Sequence, residues 1–132
     1  MLDALRRILE AEPGIAYALL FGSTARGTAR TDSDADVAIE LKPGGARDVH
    51  ALGSLAARLA SAAGRPVDLV LLDEAAPPLA YRIFRDGRLV VEHDHDAMVA
   101  RKARALLDYL DFRPVEELCA AGVLRAAAAR GR

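Results

Sequence analysis

Tryptophan is absent from this 132-residue chain, tyrosine and phenylalanine number three each, and there is a single cysteine. One thiol, Cys119, cannot close an internal disulfide, so nothing here requires an oxidising compartment. Long hydrophobic runs are missing too. The longest, Ile15 to Phe21, is seven residues, far short of a membrane span. The opening stretch MLDALRRILEAEPG carries acids and has no apolar stretch ahead of a small-residue cleavage site, so no secretory leader is expected. Neither sign of charge dominates: 18 basic residues against 19 acidic ones give a formal net charge of −1. That balance removes the whole-protein electrostatic case for non-specific binding to nucleic acid or membranes. A soluble, cytoplasmic protein with no direct nucleic-acid binding is the expectation.

What the chain does have is alanine, at 28 positions, and 16 arginines against two lysines. Such a bias makes any lone surface arginine weak evidence. The larger apolar residues still suffice for one core, and the length suits a single domain over 1–132. That domain is expected to have its core at about 14–113 and a helical tail at about 114–132.

Periodicity predicts the elements. Leu2, Leu5, Ile8 and Leu9 share one helical face, ended by Pro13-Gly14. IAYALLF (15–21), between two glycines, reads as a buried strand. GSTARGTARTDS (22–33) reads as a loop with at most a helical turn. DADVAIEL (34–41) alternates, with Ala35, Val37, Ile39 and Leu41 on one face and Asp34, Asp36, Ala38 and Glu40 on the other. An amphipathic helix follows from Asp48 to about Ala63, stopped by Gly64. PVDLVLLD (66–73) is a second apolar strand, holding one acid. Pro77-Pro78 opens a short helix to Phe84, and RLVVEH (88–93) is a further strand. A long helix starts at Asp96 and is expected to stop near Phe112, before Pro114, with a last helix from 115. Its stripe of Val99, Ala103, Leu106, Leu107 and Leu110 reads as core first and interface second, and Tyr109 to Phe112 as a possible docking end. Cys119 reads as a small packing residue. The order α-β-β-α-β-α-β-α predicts an α/β or α+β fold, a mixed sheet with helices packed on one face.

The chemistry concentrates between Gly22 and Asp68. Asp34 and Asp36 stand on the same strand face, opposite the apolar one, so both carboxylates point into a cleft. Asp68 lies inside an apolar strand, where an unpaired acid is costly to bury. Setting it beside two more acids raises the cost, unless cations sit between them. Three carboxylates on rigid strands form a hard oxygen site of the kind Mg²⁺ takes together with substrate phosphates. Just upstream, Gly22-Ser23-Thr24 offers backbone N–H groups and hydroxyls where a glycine lets the chain approach a phosphate. Two rival motifs fail. Gly22-x4-Gly27 begins like a P-loop but has Thr28 where the phosphate-binding lysine belongs. Asp32-x-Asp34-x-Asp36 begins like an EF-hand, but Val37 replaces its glycine and Pro43 its bidentate glutamate. His93-Asp94-His95-Asp96 has a metal-like spacing, yet it falls at a strand-to-helix junction where Asp serves as a cap, and the structural role is preferred.

GSTARGTARTDSDADVAI resembles the signature of the polymerase-β-like nucleotidyltransferase superfamily: Gly-Ser, a ten-residue gap, Asp-x-Asp, and a third Asp on a later strand. A chain with so little outside that core resembles the minimal nucleotidyltransferases (MNT). YRIFRDGRLVVEHDHDAMVARKARALLDYLDFRPV further resembles the MntA-type antitoxins of HEPN/MNT toxin–antitoxin pairs. The resemblance covers about residues 14–115 and implies a two-metal nucleotidyl transfer. Asp34, Asp36 and Asp68 would be the catalytic, Mg²⁺-binding residues, with Asp68 helping to take the proton of the attacking hydroxyl. Gly22 and Ser23 would hold the β- and γ-phosphates of ATP. Arg26 is assigned to the triphosphate, although for it and Arg30 a solvated surface role stays open. The implied reaction moves AMP from ATP to a tyrosine hydroxyl of a cognate HEPN ribonuclease toxin. Two alternatives remain: an antitoxin that acts by binding alone, and a nucleotidyltransferase for a small molecule.

Overall fold

A computed structural model of the chain describes residues 1–27 and 33–130, without the side chains of residues 26, 115, 116 and 123–130. Helix α1 (Leu2–Glu10) precedes strand β1 (Ile15–Phe21), which runs directly into a short helix α2 (Gly22–Arg26). Strand β2 (Ala35–Leu41), helix α3 (Val49–Ala63) and strand β3 (Val67–Leu71) follow. The chain then makes a 3₁₀ turn (Leu72–Glu74), helix α4 (Pro77–Asp86), strand β4 (Arg88–Glu92) and helix α5 (His95–Arg130).

The four strands form one mixed sheet in the order β3-β2-β1-β4. β1 is antiparallel to both neighbours, and β2 and β3 are parallel, joined by the α3 crossover. Asp48 caps α3, its carboxylate accepting from the Ala51 N–H at 2.7 Å, and Gly64 closes the helix in the left-handed region at φ 69°. The predicted helix and its stop at Gly64 are borne out, and Asp48 proves to be its cap. Val49, which the helical spacing places on the apolar stripe with Leu52, Leu55 and Leu59, is instead 90 % exposed.

β1 explains the layering. Its first six residues are all buried and divide between two apolar clusters, alternating from Tyr17 onward after an irregularity between Ile15 and Tyr17. Ile15, Ala18 and Leu20 face α1 and α3, where Leu5, Leu9, Leu55 and Leu59 pack together with Val37 and Ile39. Tyr17 and Leu19 face the other way, toward Ile83 of α4 and Ala97 and Met98 of α5. The fold class is as expected, but helices cover both faces of the sheet rather than one. A strand apolar on both sides leaves a wet hydrophobic face unless both are covered.

α5 departs from expectation at Pro114, which sits inside the helix instead of ending it. Proline there removes one backbone donor and crowds the carbonyl of Leu110. Both residues are exposed, so water can satisfy that carbonyl and the helix continues. The stripe read as core is also placed differently: Val99, Leu106, Leu107 and Leu110 are each about half exposed, while Ala105 is buried. Small residues let α5 lie close to α4 and the sheet, which turns the larger leucines outward. Cys119 is exposed rather than packed. β3 stops at Leu71, two residues short of the predicted strand.

Tyr17 is fully buried, and its hydroxyl donates to Glu40 Oε1 at 3.0 Å. The same oxygen accepts from Arg101 Nε at 2.7 Å, tying α5 to β2. Burial first, then the Glu40 charge, push the Tyr17 hydroxyl far above its usual range.

Candidate functional site

The end of the sheet where β1 stops is where β2 and β3 start. Antiparallel pairing places Phe21 opposite Asp36, and parallel pairing places Asp36 opposite Asp68. Directly opposed residues project to the same face. Asp36 and Asp68 therefore stand side by side on the face that Ala38 and Val70 share with α4 and α5. Asp34 immediately precedes β2, and the strand's start is pinned by the Ala35 N–H donating to the Pro66 carbonyl at 2.8 Å. The alternation expected for β2 is thus realised within the strand, with Asp36 opposite the face of Ala35, Val37 and Ile39.

The three acids are not equivalent. Asp36 is half-buried, whereas Asp34 and Asp68 are exposed. The burial cost feared for Asp68 is therefore avoided by its position at the open end of an edge strand. Asp36 bears the strain instead. Desolvation, and after it the negative charges of Asp68 and Asp34, raise the pKa of its carboxyl above the ordinary carboxylate value. Among the described residues no three acidic, histidine or cysteine side chains are already gathered closely enough to hold a metal ion. What the strands supply is a group of neighbouring carboxylates at one end of the sheet, with Asp36 held at a cost.

Gly22 lies directly against Asp36. It opens α2 with φ 73°, a conformation that favours glycine. A Cβ at this position would collide with the Oδ2 atom of Asp36. Glycine is needed here twice over, for the backbone turn and for the approach to the carboxylate. Ser23 and Thr24 follow within α2. Thr24 is buried and donates its hydroxyl to the Phe21 carbonyl at 3.3 Å, which fixes the turn from inside. Gly27 closes α2 in the left-handed region. The structure brings together Gly22, Ser23, Asp34, Asp36 and Asp68. The Arg26 side chain and all of Arg30 lie outside the described residues.

The His93–Asp96 segment behaves as a junction, as the preferred reading expected. His93 Nδ1 is 2.9 Å from the Ile15 carbonyl, His95 Nδ1 is 2.8 Å from Glu92 Oε1, and Asp94 accepts from the Ala97 N–H at 3.0 Å. Sequence reasoning missed α4 altogether as a functional element. On the α4 side of Gly22 lies a cleft of about 370 Å³ lined by Phe21, Gly22, Leu79, Arg82, Arg85 and Asp86. Amphipathic spacing marks α4 as a helix but does not say that its outer edge meets the Gly22 turn.

The family described as polymerase beta, nucleotidyltransferase matches residues 3–96. A structure assigned to the minimal nucleotidyltransferases is 32% identical, over 66% of this chain and 93% of its own, with a TM-score of 0.56. A toxin–antitoxin crystal structure with AMP-PNP is 24% identical over 93% of this chain and 98% of its own, with a TM-score of 0.79. An MNT antitoxin in complex with a tri-AMPylated HEPN toxin from Shewanella oneidensis is 22% identical over 94% and 99%, with a TM-score of 0.72. These last two share the fold. No functionally curated protein matches the chain.

Proposed function

The chain belongs to the polymerase beta nucleotidyltransferase family, and on that premise we propose that it is a single-domain cytoplasmic antitoxin that transfers AMP from ATP to a tyrosine hydroxyl of a cognate HEPN toxin. The observation that carries the transferase reading is the Gly22 turn seated against Asp36, with Asp68 in register beside it. A carboxylate held half-buried between two others is unfavourable on its own, and it is the donor set that a divalent cation relieves. Asp34, Asp36 and Asp68 would hold such ions, Mg²⁺ in this reading. Bound there, they supply neutralisation of the charge that gathers on the departing pyrophosphate.

The protein's own groups do the rest. Gly22 and Ser23 hold the β- and γ-phosphates against α2, and Asp34 and Asp36, through the cations they would hold, would set where the α-phosphate lies. The tyrosine oxygen attacks the α-phosphorus in line. A new O–P bond forms as the bond from the α-phosphorus to the bridging oxygen breaks, and pyrophosphate leaves with the electron pair. The hydroxyl proton passes to Asp68, whose exposed position lets it reach an incoming hydroxyl. Support for the toxin as acceptor comes from the fold shared with antitoxins, one of them in complex with an AMPylated HEPN toxin.

The exposed α5 stripe favours one second reading, neutralisation of the toxin by occupancy alone. Label transfer from α-labelled ATP to the co-expressed partner, read by intact mass, separates the two. Wild type is expected to add AMP to the partner, and Asp34→Asn/Asp36→Asn to add none. Silencing by both forms with no added mass would sink the transferase reading.

A further inference from the structure

The cleft on the α4 side of Gly22 contains two arginines in different states. Arg85 is committed: its Nε and Nη2 donate to the two carboxylate oxygens of Asp86 at 3.0 and 2.8 Å, and its guanidinium lies 5.5 Å from the Tyr81 ring centroid. Arg82 is not. Its Nε makes a long 3.4 Å contact to the Pro78 carbonyl, and among the described residues it pairs with no carboxylate. In a chain with 19 acidic residues, a guanidinium left without a carboxylate on the wall of a cleft is available for an anion.

Its position sets which anion. Gly22 belongs to both places: it lies against the Asp36 carboxylate, which is in register with Asp68, and it lines the α4 cleft that holds Arg82. A triphosphate with its reacting phosphorus at the carboxylates, laid over Gly22 and Ser23, extends its far end toward Arg82. We propose that Arg82 receives the terminal phosphate of the nucleotide and so selects a triphosphate over a diphosphate. This rests on the transferase reading above. A planar fork of donors suits a terminal phosphate, which offers several oxygens at one end. Phe21 and Leu79 line the same cleft, and Arg82 is itself exposed, so its guanidinium is accessible to an incoming anion.

Titration calorimetry on the full chain with Mg²⁺, using ATP and ADP as probes, tests the assignment. Wild type is expected to bind ATP more tightly than ADP. Arg82→Gln is expected to lose roughly ten- to hundredfold in ATP affinity, with ADP affinity and the unfolding midpoint unchanged. Arg82→Lys should recover part of the loss, keeping the charge but not the fork. A wild-type chain indifferent to the third phosphate, an ATP-to-ADP ratio that survives Arg82→Gln, or an equal loss for both nucleotides would each overturn the assignment while leaving the transferase reading intact. Binding of neither nucleotide by wild type would overturn the reading and the assignment together.

Discussion

Replacing Gly22 by alanine separates backbone strain from site geometry, because the chain contains its own control. Gly22 and Gly64 have nearly the same left-handed conformation, φ 73° and 69°. At Gly64 an added Cβ meets nothing within 4 Å, whereas at Gly22 it strikes the Asp36 carboxylate. An L-residue held in that region costs about 1–2 kcal/mol. Gly64→Ala should therefore lower stability by that amount, read as a fall of roughly 3–10 °C in Tm. Gly22→Ala should cost the same strain plus the displacement of Asp36, on the order of 1 kcal/mol more. The activities should diverge much further. A carboxylate pushed by even an ångström from its place costs about a hundredfold in rate, so Gly22→Ala should lose at least that in AMP transfer while Gly64→Ala keeps the wild-type rate per folded molecule. Combining Gly22→Ala with Asp36→Ala removes the clash, so the double variant's stability loss relative to Asp36→Ala alone should fall back to the strain seen at Gly64. Equal transfer rates for Gly22→Ala and Gly64→Ala, or no recovery in the double variant, would refute the idea that Gly22 exists to admit the Asp36 carboxylate.

Two further outcomes follow from the partly buried acids Asp36 and Glu40. Asp36 ionises at higher pH in the folded chain than in the unfolded one, so its contribution to stability is fully present below the ordinary carboxylate pKa and is lost as pH rises through the folded value. In EDTA, Asp36→Asn should therefore melt above wild type near neutral pH, with the gap closing below about pH 4; a gap independent of pH would contradict the repulsion described here. At the opposite end of β2, urea unfolding of Tyr17→Phe should show a loss of about 1 kcal/mol. Glu40→Ala should cost more, about 2–3 kcal/mol, because it leaves a buried hydroxyl and an arginine without their common acceptor. A Tyr17→Phe loss equal to or larger than the Glu40→Ala loss would mean that the Glu40 pair with Arg101 contributes nothing.

How much of this was legible in the sequence depended on whether a residue's partner was local. Gly22 and Asp36 meet through one antiparallel pairing across a short connection, and the alternation of β2 alone fixed which face its acids take. Asp68 reaches them only through the α3 crossover, yet an acid inside an apolar strand was signal enough. Its exposure was not legible, because burial depends on β3 lying at the sheet edge, and no pattern within β3 reports that. α5 shows the opposite failure. In an alanine-rich helix the large apolar residues mark a face, but the close packing is made by Ala97, Met98 and Ala105, leaving Val99, Leu106, Leu107 and Leu110 about half exposed. Periodicity weights residues by hydrophobicity, whereas the face of α5 that packs sets two small alanines, Ala97 and Ala105, beside Met98, so here it pointed to the wrong side. Arg82 was invisible for a third reason. Its interest lies in pairing with no carboxylate beside a turn formed some 60 residues earlier in the chain, and neither condition leaves a trace in the local sequence. A chain with this many arginines hides such a residue until the fold shows which of them its own acids have left unpaired.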